Sequence, residues 1–144
     1  MATNFYPHGE KNIKNGTINL VGDTIRVALM TGFAYDATHE DSAGLLTASE
    51  ISDADYTAGG EILPIVSGDI TVTGNVVTVD TSASGGETVF TANGSISASS
   101  ALVYSETAGK VLFHMDFGGT QSSVDGTFKI TWHADGLFTA TVNP

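Results

Sequence analysis

The sequence predicts an all-β fold, and three observations carry that expectation. Apolar and polar residues alternate in short runs along most of the chain, the period of half-buried strands. Glycine- or asparagine-rich breaks separate the runs. Seventeen glycines and only three prolines, among many Thr, Ser and Val residues, describe strands and turns rather than helices. The chain has 144 residues, enough for one domain that buries roughly 70% of the surface its unfolded form exposes. It has no cysteine, so stability comes from burial, and disulfides, thiol nucleophiles and thiolate metal sites are excluded.

Residues 1–22 read as an N-terminal arm or one short helix, with Phe5, Tyr6 and Ile13 among polar residues and a stop at Asn15-Gly16. Residues 23–144 read as a single sandwich domain. Its first strand lies in residues 23–30, with Ile25, Val27 and Leu29 on one face and Arg26 and Ala28 on the other. Residues 33–60 lack periodicity and form a long acidic excursion: Asp36, Glu40, Asp41, Glu50, Asp53 and Asp55, with Glu61 just beyond, and no Lys or Arg. A brief helix is predicted over residues 48–54, with Thr47 as N-cap and Glu50 completing a capping box.

Strands resume after Gly59-Gly60. Pro64 assigns residues 62–66 to an edge, where a missing N–H costs nothing. Ile70 and Val72 alternate with threonines, Gly74-Asn75 supplies a two-residue turn, and Val77 and Val79 follow, which is a hairpin. Further strands are predicted at residues 88–92, 101–105, 110–117, 127–132 and 137–142. Val111, Phe113, Met115 and Phe117 share one face, as do Phe128, Ile130 and Trp132, and those faces should meet in the core. Eight or nine such strands suggest a two-sheet antiparallel sandwich, with jelly-roll or immunoglobulin-like connectivity open.

Charge narrows the function. Five Lys/Arg against sixteen Asp/Glu give a net charge of −11, and scattered cations do not make a phosphate-binding surface, so nucleic acid is not an expected partner. No run approaches the ~18 apolar residues of a membrane span, and no basic-then-apolar leader opens the chain. His8, His39, His114 and His133 show no ligand spacing, and His114 is expected to point outward or into a neighbouring subunit. The loop acids lack the ordered ligand pattern of a calcium loop and read as solvated. No nucleophile elbow occurs, and the Gly-Gly pairs do not open helices, so neither catalytic residues nor a cofactor or metal are expected. Phe5 and Tyr6 on a polar arm, with His8, Tyr35 and His39, are the expected partner-binding residues.

The order of pieces resembles a family of small structural proteins of tailed-bacteriophage virions. The resemblance rests on Asp23-Thr24-Ile25-Arg26-Val27-Ala28-Leu29-Met30, on Ala37-Thr38-His39-Glu40 with Tyr56-Thr57-Ala58-Gly59-Gly60, and on Ala101-Leu102-Val103-Tyr104, Asp116-Phe117-Gly118-Gly119, Phe128-Lys129-Ile130-Thr131-Trp132 and Asp135-Gly136-Leu137-Phe138. It implies a capsid decoration or cement protein, made in the host cytoplasm and attached to the outer surface of the head shell, with the major capsid protein and itself, as a homotrimer, for partners. A tail, baseplate or fibre component is the alternative within a virion. A calcium-assisted carbohydrate-binding module, motivated by the sandwich and the loop acids, is the alternative of another class.

Overall fold

The computed structural model describes residues 2–142; Met1, Asn143 and Pro144, at the ends of the expected arm and sandwich domain, lie outside the described residues. The fold is an antiparallel two-sheet sandwich. In chain order the elements are β1 (Ala2–Phe5), α1 (Pro7–Lys14), β2 (Ile25–Met30), α2 (Ser42–Ser49), β3 (Glu61–Ile62), β4 (Ile70–Thr73), β5 (Val76–Val79), β6 (Glu87–Ser105), β7 (Lys110–Thr131) and β8 (Phe138–Thr141), with 3-10 turns at Ser67–Asp69 and Ser84–Gly86. The larger sheet has the order β1-β7-β6-β2-β3 and the smaller β4-β5-β8.

The β4–β5 hairpin forms in the expected register, Thr73 opposite Val76, with Gly74 at φ 59°. Glycine takes that left-handed conformation without steric cost. Four of the expected strands fuse instead into two. β6 and β7 form one long antiparallel hairpin, and the expected breaks at Asn93-Gly94-Ser95 and Gly118-Gly119 lie inside it as slips of register. The slips between Thr91 and Gly94 and between Gly94 and Ile96 each add one residue to one strand, as bulges do, and that between Ala98 and Ser100 adds three residues to β7 around Gly118-Gly119; each bends the ribbon without ending it. A glycine pair read as a loop is therefore a bend in a continuous ribbon.

The main core unites Ile25, Val27 and Leu29 of β2 with Phe113, Met115, Phe128, Ile130 and Trp132, and receives Val79, Ile70 and Phe138 from the smaller sheet. The two aromatic faces meet as expected, except that Val111 belongs to the opposite face, after a slip of register between Val103 and Tyr104. Trp132 is buried, lies edge-on to Phe113 and donates from Nε1 to Thr88 Oγ1 at 2.9 Å.

Of the expected arm, residues 2–22 do not stand apart from the sandwich. β1 pairs with β7 from Ala2 opposite Asp116 to Phe5 opposite Phe113, and α1 lies against β7, where Gly9 sits so close to the Leu112 carbonyl that a Cβ would be 2.9 Å from its oxygen. Pro7 begins α1, where a missing N–H is harmless. The second helix also departs from expectation. It spans Ser42–Ser49 with Asp41 at the N-cap, Thr47 Oγ1 donates within it to Ala43 O, and Glu50 ends it. The far face of the larger sheet, with Ala28, Met30, Leu102, Tyr104 and Val111, is covered by Phe33, Tyr35, Leu45 and Leu46 from the excursion.

Candidate functional site

The excursion is held where strands of the larger sheet outrun their neighbours. β2 pairs with β6 over its whole length, but β3 accompanies it only at Arg26 and Val27. Beyond that point the Leu29 N–H is met by the Tyr56 hydroxyl at 3.1 Å, and the Leu29 carbonyl accepts from Ile51 N at 3.1 Å. The Tyr56 hydroxyl in turn donates to Glu50 Oε2 at 2.7 Å, which also accepts from Gly59 N at 2.7 Å. Tyr104 Oη donates to the Gly59 carbonyl at 2.7 Å. Burial raises both phenols, Tyr104 to about 12, with the Glu50 charge adding to the effect.

β6 outruns β2 in the other direction, and there Asp55 Oδ2 accepts from Ser95 N and Asp53 Oδ2 from Ser97 N, each at 2.8 Å. The loop acids are thus not merely solvated. Asp53 and Asp55 satisfy N–H groups of β6 that a further strand would otherwise pair, and Glu50 holds the Tyr56 hydroxyl that meets the Leu29 N–H of β2.

On the covered face, aromatic rings and histidines form a seam. Tyr6 lies 4.8 Å from Tyr35 and 5.9 Å from His39, ring centre to ring centre; Phe33 lies 5.5 Å from His39 and 4.9 Å from His114. His114 is buried, with no hydrogen-bond partner for either ring nitrogen among the described residues, and the Tyr6 hydroxyl is unpartnered as well. Burial pushes the His114 pKa down and that of Tyr6 up. At the rim, Glu40 accepts from Lys11 Nζ at 3.1 Å and Asn12 Nδ2 at 3.3 Å and lies 3.0 Å from His8 Nδ1, and Lys110 Nζ binds Asp41 at 2.6 Å. Hydrogen bonds from Lys11 and Asn12 hold the Glu40 carboxyl below its usual range, and Thr38 does the same for Asp36.

The expected partner-binding residues therefore fall inside the molecule or at this rim. Tyr6 is fully buried, Tyr35 donates to the Phe5 carbonyl at 3.0 Å, His39 is half-buried and His8 is engaged by Glu40. Phe5 lies on the main-core side, 4.7 Å from Phe138 and 6.0 Å from Phe113. Phe5 and Tyr6 are thus not a docking arm: pairing of β1 with β7 carries them into the fold. His114 is a second correction. Alternation placed it opposite Phe113, and that face is roofed by the excursion rather than open.

Among the described residues no group of three or more His, Asp or Glu could hold a metal ion, and no helix is long and apolar enough to cross a membrane. Two shallow grooves stand out. One of about 500 Å³ lies against β7, between Phe117 and Phe128, and one of about 430 Å³ separates β1 from β8. Comparison with protein-family models, with curated proteins and with solved structures finds no match to this chain.

Every Lys and Arg is in an ion pair: Lys11 with Glu40, Lys14 with Glu10, Arg26 with Glu106, Lys110 with Asp41 and Lys129 with Glu87. The arrangement leaves a surface whose uncompensated charge is entirely negative.

Proposed function

We propose that this protein is a bacteriophage virion structural protein of the decoration or cement type, which docks on the outer surface of the head shell through the major capsid protein and stabilises it. The observation that carries the reading is the distribution of charge on a cysteine-free sandwich: all five cations are paired with acids, and from residue 27 to residue 109 there is no cation at all. Such a surface repels packaged nucleic acid and favours a cationic protein face. The strand-and-turn resemblance to small virion proteins supports the same reading and extends it to a homotrimer. A tail or baseplate position uses the same chemistry. The carbohydrate-binding alternative is less well supported, because Glu50, Asp53 and Asp55 already accept hydrogen bonds from the fold.

A protein that binds only the assembled shell stabilises it by mass action. Shells carrying the protein should therefore resist heat and osmotic shock better than shells without it. Equal survival of the two would remove the cementing role, and density on the tail in imaged particles would move the protein there.

A further inference from the structure

We infer that the outer edge of β4 is the docking strand, and that an extended, lysine- or arginine-bearing segment of the partner adds there as a further strand of the smaller sheet. The inference deepens the proposed function and rests on it for the source of that segment.

β4 is the first strand of the order β4-β5-β8, so one of its sides has no neighbour in the sheet. Hydrogen-bonded and non-hydrogen-bonded pairs alternate along an antiparallel ladder, and a two-residue turn makes the flanking pair a bonded one. With Thr73 opposite Val76, the bonded pairs are Thr73–Val76 and Thr71–Thr78, and the N–H and C=O of Val72 point outward. The other outward N–H, that of Ile70, is spent on the Ser67 carbonyl. The Val72 side chain is 69% exposed, and Val66 nearby in sequence is 51% exposed.

Unpaired edges are normally blunted by charge, proline, bulges or brevity. Most of the other edges of the molecule show such devices. β3 has two residues and is followed by Pro64, the Phe5 carbonyl of β1 is capped by Tyr35, and the lengths of β6 and β7 beyond β2 and β1 are broken by slips of register and carry Glu87, Asp125 and Lys129; β8, without charge or proline, opens on the groove lined by Phe5, Pro7 and Glu10. β4 has an uninterrupted register, no charged residue and no proline.

Charge selects the occupant. Between Arg26 and Lys110 there is no Lys or Arg, so the uncharged hairpin of β4 and β5 has only acids for charged neighbours along this stretch of chain. Asp69 and Asp80 stand at the base of the hairpin, joined by the Asp80 N–H to Asp69 carbonyl bond at 2.9 Å, and neither carboxylate meets a cation among the described residues. A second copy of this chain would bring the same negative charge to the edge. A basic strand with one apolar side chain for Val72 is complementary in both respects, and main-chain pairing gives affinity in strand addition.

The test uses shells lacking the protein, cosedimented with the full chain and with Val72→Pro, Val72→Lys and, as a control on another exposed valine, Val124→Lys. Proline at 72 removes a donor that β5 does not use, so the hairpin should survive. At least a tenfold loss of binding for both Val72 variants is expected, with melting unchanged and Val124→Lys like the parent, and parent affinity should fall with added salt. Should either variant misfold, hydrogen exchange on the parent decides: the Val72 amide should slow on binding. Binding by the Val72 variants within twofold of the parent, or an unprotected amide, overturns the edge. Salt-insensitive binding overturns the cationic partner, and self-association through β4 replaces it with a second copy. A parent that does not sediment with any shell or tail refutes the virion reading instead, so the two failures are distinct.

Discussion

Replacing Tyr56 by Phe deletes one oxygen and tests whether the excursion is fastened to the edge of β2 as the geometry indicates. That oxygen donates to Glu50 Oε2 at 2.7 Å and accepts the Leu29 N–H at 3.1 Å. A hydrogen bond to a charged group contributes about 1.5–3 kcal/mol, and a buried donor left unpaired costs about 1–3 kcal/mol. Glu50 retains Gly59 N, which limits the first loss. The two effects share one atom and do not add fully, so a destabilisation of roughly 2–4 kcal/mol is expected. For a domain of this size that is roughly 6–12 °C in Tm. Tyr104→Phe is the internal comparison. Its hydroxyl makes one bond, to the neutral Gly59 carbonyl, and its loss should cost only about 0.5–1.5 kcal/mol. Urea unfolding of both variants measures the difference, and hydrogen exchange should show the Leu29 amide opening faster in Tyr56→Phe alone. A Tyr56→Phe loss under about 1 kcal/mol, or equal losses for the two variants, would refute the edge-capping argument.

Gly60→Ala should be far more damaging than its size suggests, because φ is +80° and a Cβ would overlap the Val27 carbonyl oxygen; failure to express as a folded protein, or a large fall in Tm, is the expected readout. Tyr6→Ala should destabilise by about 3–5 kcal/mol in chemical denaturation, as for a large core residue, whereas a docking residue would lose binding and leave stability intact. His114 is buried neutral, its folded pKa below the unfolded value of about 6.5, so its contribution is present above that pH and is lost as pH falls from about 6.5 toward the depressed folded value. The ring faces Phe33 and Tyr35 from the excursion, with Asp116 and His39 as the titratable neighbours that act on it. Stability followed over pH 5–7 should decline in the parent and stay flatter in His114→Phe; Glu40 and Asp36, whose carboxyls are held low, lose their contributions only at lower pH.

Periodicity was enough to place β2, the β4–β5 hairpin and the aromatic faces of β7, because these depend on neighbours along the chain. It also put His114 on the side opposite Phe113. What covers that side was not legible, since Phe33 and Tyr35 reach it from a segment without periodicity and meet it about eighty residues away in sequence. The glycines at 94, 118 and 119 carry the same local signal whether a chain turns back or bends, and only the long register of β6 on β7 distinguishes the two. The role of Tyr56 was hidden for a related reason. A hydroxyl caps a strand edge only where the neighbouring strand stops, and the two-residue length of β3 is set by tertiary structure. Tyr6 was misplaced because a polar neighbourhood in sequence says nothing about β1 pairing with a strand more than a hundred residues away.

The acidity itself has a structural origin. Five of the sixteen acids are matched by cations, and of the eleven without one, Asp23, Asp36, Glu50, Asp53, Asp55, Asp69, Asp80 and Asp116 accept hydrogen bonds from backbone N–H groups of the irregular segments and bulges. A carboxylate offers two oxygens and no donor, which suits it to N–H groups that a sheet leaves over. A sandwich with one long excursion, strands of unequal length and bulged ribbons has many such groups, and supplying them with Asp and Glu drives the net charge down whatever the partner. Total charge is therefore a weak guide to function here. Its distribution is a stronger one, because cations could have been interspersed among these caps and, from residue 27 to residue 109, none is. The unblunted edge of β4 lies within that same stretch, and it is this coincidence of free backbone, exposed valine and unopposed carboxylates, rather than the value of −11, that singles out a surface for a basic strand.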